Sequence, residues 1–513
     1  MADNTAGRAA SAEDGGRAAS ASERVETRVE TPFAYAPAPE SRSIVDIRSS
    51  YGLFIDGEFS SGHGKAFKTV NPATEEVLAE VAEADESDVD RAVRAARRAY
   101  TRVWSPMSGT ERSKYLFRIA RIIAERSREI AVLESIDNGK PIRESRDVDI
   151  PTAAAHFFYY AGWADKLEFS GYGTGPSGPQ PLGVAAQVIP WNFPFLMLAW
   201  KIAPALACGN TVVLKPAETT PLTALLFAEI CQQADLPPGV VNIITGAGQT
   251  GRALVAHPDV DKVAFTGSTD VGRAIAKSVA GTSKKVTLEL GGKAANIVFD
   301  DAPVDQAVEG IVNGIFFNQG HVCCAGSRLL VQESVAQEFV ERLKRRMGTL
   351  RVGDPLDKNT DVGAINSAEQ LAKIRELSGI GEQEVGTGEG AGRWSPPCEL
   401  PEHGFWFPPT IFTGVSQAHR IAREEIFGPV LSVLTFRTPK EAVEKANNTP
   451  YGLSAGIWSD KGSRILWMAA QLRAGVVWAN TFNRFDPASP FGGYKESGYG
   501  REGGRHGLEA YLR

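Results

Sequence analysis

Two adjacent cysteines, Cys323 and Cys324, are the residues of this sequence best suited to nucleophilic chemistry. They follow the apolar run 310–317 and lie between Gly320 and Gly326, small residues that permit a sharp bend and leave room for a substrate. A thiol reacts as its thiolate, which a helix N-terminus or a nearby cation favours and apolar burial disfavours. On local grounds alone, buried packing is the commoner role of such a pair.

Two further motifs contain the partners that a cysteine nucleophile needs. Glu289 is the single carboxylate of an apolar strand, 286–290, which runs into a Gly-Gly turn. It either faces water at a sheet edge or is a desolvated base with a raised pKa. Asn192 lies between two prolines and two aromatic residues, where its amide is suited to hold an oxyanion. Nucleophile, base and oxyanion donor are the three parts of one acyl-transfer site.

Five motifs resemble those of the NAD(P)-dependent aldehyde dehydrogenase superfamily and occur in the same order. They are PWNFP at 190–194, LELGGK at 288–293, FNQGHVCCAGSR at 317–328, EEIFGP at 424–429 and PFGGYK at 490–495. The resemblance extends from about residue 53 to the C-terminus. It implies oxidation of an aldehyde to the carboxylic acid through a cysteine thiohemiacetal and a thioester. Cys323 would be the nucleophile, Asn192 the oxyanion donor and Glu289 the base that activates water.

A cofactor domain is expected where short apolar strands alternate with helices, from Gly183 onward. This alternation predicts an α/β fold with a parallel, Rossmann-like sheet. Two glycine turns compete for the cofactor phosphates, because amides at a helix start bind anions. The turn with Gly248 fits G-x-G-x-x-G but lacks an acidic residue about twenty positions on. The turn of Gly267 and Ser268 is favoured, because the resemblance puts Ser268 near the pyrophosphate.

The strand end that carries Lys215 and Glu218 is the candidate for the adenosine ribose. A carboxylate accepts hydrogen bonds from both ribose hydroxyls and repels a 2'-phosphate, so the resemblance implies NAD, with NADP use left open. A surface ion pair is the alternative interpretation. Glu425 and Phe427 resemble the family's contacts to the nicotinamide ribose and ring. By the same resemblance, the remaining cofactor contacts are Ile189, Pro190, Trp191 and Phe265.

The aldehyde is expected to reach the cysteine through an aromatic tunnel, although buried aromatic residues are more often plain core. The tunnel residues implied by the resemblance are Phe193, Met197, Trp200, Phe485 and Phe491. A semialdehyde or aminoaldehyde dehydrogenase is the alternative within the enzyme class. The sequence near these residues contains no clear basic cluster for a substrate carboxylate, and only Arg484 is available. No metal is expected.

Composition restricts the partners and the compartment. A net charge of -6 over 513 residues argues against a nucleic-acid partner. Five cysteines without repeated spacing favour a reducing compartment, so the cytoplasm is expected. The longest apolar runs are interrupted and too short for a membrane span.

The expected domain organisation has four parts. Residues 1–31 are rich in small and charged residues and are predicted to be disordered. The NAD-binding domain would comprise 32–158 and 181–290, and the catalytic domain 291–488, with 159–180 and 489–513 as bridging or oligomerisation elements. The helices before residue 164 are interpreted as scaffold without chemistry, and residues 379–403 as an irregular surface loop.

A homodimer or homotetramer is expected from the resemblance. Many members of the superfamily continue beyond this C-terminus with a strand that completes an intersubunit sheet, so a partner chain that supplies this edge is an alternative. The hypothesis from another functional class is a catalytically silent subunit that binds an active one. The presence of Cys323, Glu289 and Asn192 argues against this hypothesis.

Overall fold

The structure is a computed structural model that describes residues 36–173 and 178–513. The predicted disordered extension, residues 1–31, lies outside the described residues. Residues Pro37–Arg513 form one compact unit. Among the described residues, we find no helix with both the length and the apolar character that a membrane crossing requires.

The strands are numbered in chain order. They are β1 (Ser50–Tyr51), β2 (Leu53–Ile55), β3 (Glu58–Ser60), β4 (Ala66–Val70), β5 (Val77–Ala82), β6 (Val184–Val188), β7 (Thr211–Lys215), β8 (Val241–Ile243), β9 (Lys262–Thr266), β10 (Lys285–Glu289), β11 (Ala295–Val298), β12 (Arg328–Gln332), β13 (Gly392–Trp394), β14 (Thr410–Thr413), β15 (Val430–Phe436), β16 (Tyr451–Gly452), β17 (Ser454–Trp458), β18 (Val476–Ala479), β19 (Tyr494–Lys495) and β20 (Gly498–Tyr499).

The α-helices are numbered in the same way. They are α1 (Glu86–Ala99), α2 (Gly109–Glu125), α3 (Ser127–Asn138), α4 (Ile142–Glu144), α5 (Ile150–Ala161), α6 (Pro194–Ala207), α7 (Leu222–Gln233), α8 (Gly248–Ala256), α9 (Thr269–Val279), α10 (Val304–Phe316), α11 (Ala336–Met347), α12 (Ala368–Val385), α13 (Arg420–Arg423), α14 (Pro439–Asn447), α15 (Gly462–Gln471) and α16 (His506–Glu509).

The predicted parallel sheet is confirmed in the first of two large sheets. Within the described chain its order is β20-β10-β9-β6-β7-β8-β2-β3, and the five strands from β10 to β8 run parallel. All residues of β7 and β9 are buried, as expected of parallel strands that helices cover on both faces. The hairpin β2–β3 and the short β20 add antiparallel edges.

The second large sheet has the order β13-β14-β15-β12-β11-β17-β18 in the described chain and is parallel apart from β13. The expectation of an irregular loop over 379–403 is partly wrong. Helix α12 continues through Val385, because Ile380 and Val385 pack against the core of this sheet. Gly381 serves close packing there, since a Cβ atom would lie 2.6 Å from Ile421. Strand β13 occupies a further part of the segment.

The carboxyl ends of the parallel strands position the candidate site. In register, Val188 at the end of β6 pairs with Phe265 of β9, and Thr266 pairs with Glu289 at the end of β10. Because strand ends in such a sheet meet at one edge, the loops that follow them line a common crevice. The loop after β6 carries Asn192, so the amide and the carboxylate start from neighbouring strands.

Candidate active site

One cavity of about 870 Å³ contains most of the residues that the sequence singles out. The predicted site residues that line it are Pro190, Trp191, Asn192, Phe193, Met197, Trp200, Gly267, Ser268, Glu289, Cys323, Glu425, Phe427, Phe485 and Phe491. Five others are absent from its lining, namely Ile189, Lys215, Glu218, Gly248 and Phe265. The structure therefore brings together all the catalytic and tunnel candidates and part of the cofactor set.

The two cysteines differ in their exposure. Cys323 is partly exposed and Cys324 is buried, with its thiol directed to Oδ1 of Asn483 at an Sγ···O distance of 3.8 Å. Hydrogen bonding to the Cys324 thiol, followed by burial, raises the pKa of Cys323 well above its usual value of 9.0. The resting side chain of Cys323 is therefore a thiol, and a base must remove its proton before it can react.

The loop before Cys323 holds an unusual backbone conformation. Asn318 and Gln319 have φ angles of 48° and 52°, the left-handed region that residues other than glycine seldom adopt. Both side chains are buried and bonded, with the Gln319 amide donating to the carbonyl of Ala364 at 2.9 Å. Strained conformations persist where the surroundings over-determine them, and they concentrate at functional sites.

Asn192 is held against this loop by two hydrogen bonds. Its Nδ2 donates to the carbonyl of His321 at 2.8 Å, and its own carbonyl accepts from Nδ2 of Asn318 at 2.7 Å. An asparagine amide has two N–H donors, so one remains available to a ligand. The side chain is 4% exposed and lines the cavity next to the cysteine loop, as an oxyanion donor requires.

Glu289 is the last residue of β10 and is 4% exposed, so it does not face bulk water. Neither carboxyl oxygen has a hydrogen-bond partner among the described residues. Burial, followed by repulsion from Glu502, raises the pKa of Glu289 well above 4.5, while Lys201 opposes the shift. A buried carboxyl group that lacks a protein partner and lines a cavity is suited to bind water or substrate.

A buried ion pair lies beside Glu289 and was not predicted. Lys201 of α6 is fully buried, and its Nζ contacts Oε1 of Glu502, which lines the cavity. The sequence contained one indication of this ion pair, since Lys201 is the single charged residue in the otherwise apolar sequence of α6. A lone charge on an apolar helix requires a buried partner, since isolated buried charges are strongly unfavourable.

A second buried ionic cluster supports the site from the helices that precede it. Lys140 Nζ lies 2.6 Å from Asp149 Oδ2, 3.6 Å from Glu134 Oε1 and 4.3 Å from the ring centroid of Phe193. Glu144 accepts a hydrogen bond from the backbone N–H of Asn318 at 2.8 Å. These helices therefore act as a scaffold that contacts the site directly, a connection that their sequence did not indicate.

The favoured glycine turn lies at the edge of the cavity. Gly267 follows β9, and Ser268 caps α9 by accepting a hydrogen bond from the N–H of Val271 at 3.4 Å. The ring of Phe265 lies under Gly267, where an added Cβ would come within 2.5 Å of it. The competing Gly248 begins α8, is exposed and does not line the cavity. The turn at Gly267 and Ser268 thus places the N-terminal end of α9 at the cavity edge, a suitable environment for an anion.

The adenosine candidates lie outside this cavity. Lys215 is buried and donates to the carbonyl of Pro216 at 2.8 Å, while its Nζ is 3.7 Å from Oε2 of Glu218. Burial lowers the pKa of Lys215, and the neighbouring Glu218 opposes this shift. The Glu218 side chain is 52% exposed, so its carboxylate is free to accept hydrogen bonds from a ligand.

Glu425 and Phe427 form the wall opposite the α9 turn. Glu425 accepts a hydrogen bond from the N–H of Gly292 at 2.9 Å, and burial raises its pKa. The Phe427 ring meets Trp191 edge-on at 5.3 Å and stacks on His321 at 5.8 Å. Because burial lowers the pKa of His321 to about 3, this ring is neutral, and it packs behind Phe427 without lining the cavity.

The aromatic candidates pack on one another along the cavity. Trp200 lies 6.2 Å from Phe485 and 5.4 Å from Phe491, and these two rings are 5.8 Å apart. Phe193 stacks on Phe317 at 6.3 Å. The rings leave an apolar passage that suits the chain or ring of an organic aldehyde.

Comparison with known proteins gives consistent matches over most of the chain. The aldehyde dehydrogenase family model matches residues 59–513. An aldehyde dehydrogenase from Alternaria alternata is 46% identical over 470 residues, which cover 90% of this chain and 94% of the relative. Retinal dehydrogenase 2 from Homo sapiens is 46% identical over 477 residues, which cover 90% of each chain.

A solved structure matches equally well. The NAD+ complex of aldehyde dehydrogenase from Bacillus cereus has a TM-score of 0.86 and 42% identity, and it covers 91% of this chain and 96% of that one. The fold and these matches define an oxidoreductase that acts on aldehydes. The chain belongs to the aldehyde dehydrogenase family, and the resemblance seen in its motifs is confirmed.

Proposed function

We propose that this enzyme oxidises aldehydes with Cys323 as the nucleophile, Asn192 as the oxyanion donor and Glu289 as the base. The observation that carries the proposal is that the three side chains line one cavity, in which the Glu289 carboxyl has no partner among the described residues. A partly exposed thiol and an unpartnered carboxyl in one enclosed space are the components of covalent acyl chemistry.

In the first step the Cys323 thiol gives its proton to a water molecule of the cavity, and its sulfur adds to the aldehyde carbon to form a thiohemiacetal. The negative charge on oxygen is stabilised by the free N–H of Asn192 and by the backbone N–H of Cys323. Each such donor stabilises the transition state by about 3–4 kcal/mol in related acyl-transfer reactions. Because hydrogen bonds already fix Asn192, little reorganisation accompanies the formation of the charge.

NAD, when bound, accepts the hydride that leaves the thiohemiacetal carbon. The residues that would hold it are the start of α9 at Ser268 for the pyrophosphate, Glu425 for the nicotinamide ribose and Phe427 for the ring. Lys215 and Glu218 would bind the adenosine ribose. The fit rests on Gly267 and Ser268, which form the turn before α9, and on the buried carboxyl of Glu425, all of which line the cavity.

In the last step Glu289 takes a proton from a water molecule that attacks the thioester carbonyl. The carbon–sulfur bond breaks, Cys323 leaves as thiolate, and the carboxylic acid departs. The raised pKa of Glu289 makes it a stronger base than an ordinary glutamate. The nearby ion pair adjusts this basicity in both directions, because Glu502 adds to the rise in the pKa of Glu289 and Lys201 opposes it.

The assembly and the location of the protein are separate proposals. We propose a homodimer or homotetramer in the cytoplasm, in line with five free cysteines. We keep the division into an NAD-binding domain at 32–158 and 181–290 and a catalytic domain at 291–488. Support comes from the two large sheets, whose strands group on the two sides of residue 290 with the exception of β20. Sedimentation and cell fractionation test the first two statements.

The decisive experiment combines NADH formation over a panel of aldehydes with intact-mass analysis of Glu289→Gln. We expect turnover with NAD in the wild type and, in the variant, an acyl group retained on the Cys323 peptide. Retention at another residue, or no retained acyl group in a folded variant that has lost turnover, would refute the assigned roles.

A further inference from the structure

We propose that Arg484 forms a carboxylate-binding subsite in the substrate cavity, and that the enzyme prefers aldehydes whose apolar chain or ring ends in a carboxylate. This inference rests on the proposed function of the cavity. Arg484 is exposed, lines the cavity and adjoins Phe485 of the aromatic passage. An aldehyde group at Cys323 and a carboxylate at Arg484 would then occupy the two ends of one binding path.

The backbone that carries Arg484 is held on both sides. The carbonyl of Arg484 accepts a hydrogen bond from Nε1 of Trp478 at 3.1 Å. The preceding Asn483 has a φ of 53°, and its Nδ2 donates to the carbonyl of Asn313 at 3.1 Å. Its Oδ1 is the acceptor for the Cys324 thiol, next to the nucleophile. The backbone of Arg484 is therefore held in a fixed position. The side chain of the preceding residue, Asn483, contacts the cysteine loop.

Among the described residues, the guanidinium of Arg484 makes no hydrogen bond and no ion pair within 4.0 Å. Asp486, two residues further on, accepts the N–H of Ala488 at 2.8 Å and does not line the cavity. A fork of five N–H donors at a cavity wall, left without an acidic partner, is the group best matched to a carboxylate.

The acidic side chains on the substrate side of the lining are already compensated. Asp147 is bonded to Arg146 at 2.6 Å, and Glu309 is bonded to Arg346 at 2.6 Å. Asp149 is bonded to Lys140 at 2.6 Å. These three carboxylates therefore do not cancel the charge of Arg484, and the outer part of the passage carries a net positive group.

The other unpaired cation of the lining lies on the cofactor side. Lys373 is close enough to Glu425 to oppose the rise that burial causes in the pKa of that carboxyl group. Gln370, one helical turn earlier, donates to the carbonyl oxygens of Ile426 and Phe427 at 3.1 and 2.9 Å. Lys373 thus belongs to the region proposed for the nicotinamide ribose, which leaves Arg484 as the cation that a substrate would meet.

The test compares an aldehyde that ends in a carboxylate with its methyl ester, in wild type and in Arg484→Met. We expect the wild type to favour the carboxylate in kcat/KM by about tenfold at low salt, since a charged hydrogen bond of this kind is screened at an exposed site. Arg484→Met should lower kcat/KM for the carboxylate much more than for the ester, so that the preference disappears. Arg484→Lys should retain part of it, because the point charge persists while the fork is lost.

Two controls make the result specific. Arg121→Met removes an exposed arginine of α2 that lies outside the cavity, and it should change neither substrate. Added salt should reduce the preference in the wild type and have no effect on it in Arg484→Met. Equal losses for both substrates in Arg484→Met, or no preference in the wild type, would overturn the inference while the proposed oxidation stands.

A protection experiment that does not depend on catalytic turnover tests this inference separately from the proposed function. A dicarboxylic acid of the same chain length should protect Cys323 from alkylation in the wild type but not in Arg484→Met. Equal protection of the two proteins would contradict the subsite. A wild type that oxidises no aldehyde at all would instead refute the proposed function, whatever the protection experiment shows.

Discussion

The side-chain amide of Asn318 donates a hydrogen bond to the backbone carbonyl of Asn192, with an Nδ2···O distance of 2.7 Å. The bond joins the loop after β6 to the loop that carries Cys323. Asn318 itself is fixed by Glu144, which accepts its backbone N–H. One side chain therefore sets the separation between the proposed oxyanion donor and the proposed nucleophile, and it does so at a φ of 48°.

The first prediction tests this connection. Asn318→Gly should lower kcat by about 10- to 100-fold, because small displacements of catalytic groups have effects of this size. Glycine tolerates a positive φ, so this variant loses the hydrogen bond without added backbone strain. Asn318→Ala should show the same decrease in kcat as Asn318→Gly. It should also unfold at a lower temperature than Asn318→Gly. Unchanged kcat in a folded Asn318→Gly protein would show that the bond does not position the site.

The second prediction separates the two cysteines. Cys323→Ala should abolish aldehyde oxidation, while Cys324→Ala should keep most of it. Because the Cys324 thiol is the first cause of the raised pKa of Cys323, its removal should shift alkylation of Cys323 to lower pH. The measurement is the rate of iodoacetamide labelling against pH. Activity that survives in Cys323→Ala and disappears in Cys324→Ala would reverse the assignment.

The third prediction concerns the stability of the protein against pH. A carboxyl group whose folded pKa is raised binds its proton more tightly in the folded state, so its contribution to stability is present below about pH 4.5 and is lost as the pH rises through the folded pKa. Glu289 is such a group, because its pKa is raised in the folded protein. Glu289→Gln should therefore raise the melting temperature at pH 8 by about 1–3 °C. The increase should be smaller at pH 5, and an equal increase at both values would exclude this cause.

That the proposed catalytic residues share one cavity could be predicted from the sequence, because they sit in short motifs with distinctive neighbours. Cys323, Glu289 and Asn192 each follow or end a predicted strand or helix, and the ends of parallel strands converge. The parallel sheet was predictable for the same reason, since its strands are apolar runs separated by helices. The irregular loop over 379–403 was predicted wrongly, because glycines suggest a break where tertiary packing maintains a helix.

The supporting ion pairs could not be predicted, because their partners are distant in the chain. Lys201 and Glu502 are separated by 301 residues, and no local pattern connects them. The cluster around Lys140 joins Glu134 of α3 to Asp149, the residue before α5, beside Phe193. A buried charge in an apolar helix indicates that a partner exists, yet only the tertiary structure identifies it.

The fourth prediction tests the buried pair. Lys201→Met should destabilise the protein by about 3–5 kcal/mol, because Glu502 is left with an uncompensated buried charge. The double variant Lys201→Met with Glu502→Gln should recover most of this loss, since both charges are then absent. Chemical denaturation gives the free energy of unfolding of Lys201→Met, of Glu502→Gln and of the double variant, which together with the wild type complete the double-mutant cycle. Additive losses in the double variant would mean that the two side chains do not interact.

The fifth prediction concerns the choice of cofactor. Glu218→Ala should lower the ratio of kcat/KM with NAD to kcat/KM with NADP by about tenfold, because an exposed carboxylate beside the ribose repels a 2'-phosphate. Glu229→Ala, a change of a partly exposed glutamate on α7, should leave the ratio unaltered. A ratio that is the same in Glu218→Ala and wild type would place the adenosine ribose elsewhere.

The five free cysteines differ in burial, and this difference allows the number of active enzyme molecules in a sample to be measured. Cys208, Cys231 and Cys324 are buried, while Cys323 and Cys398 are partly exposed. A thiol reagent applied to the folded protein therefore has two targets, of which only Cys323 lines the cavity. In a Cys398→Ser background a fluorescent alkylating label would report the molar fraction of competent enzyme in each preparation. Rates could then be expressed per active molecule rather than per mass of protein.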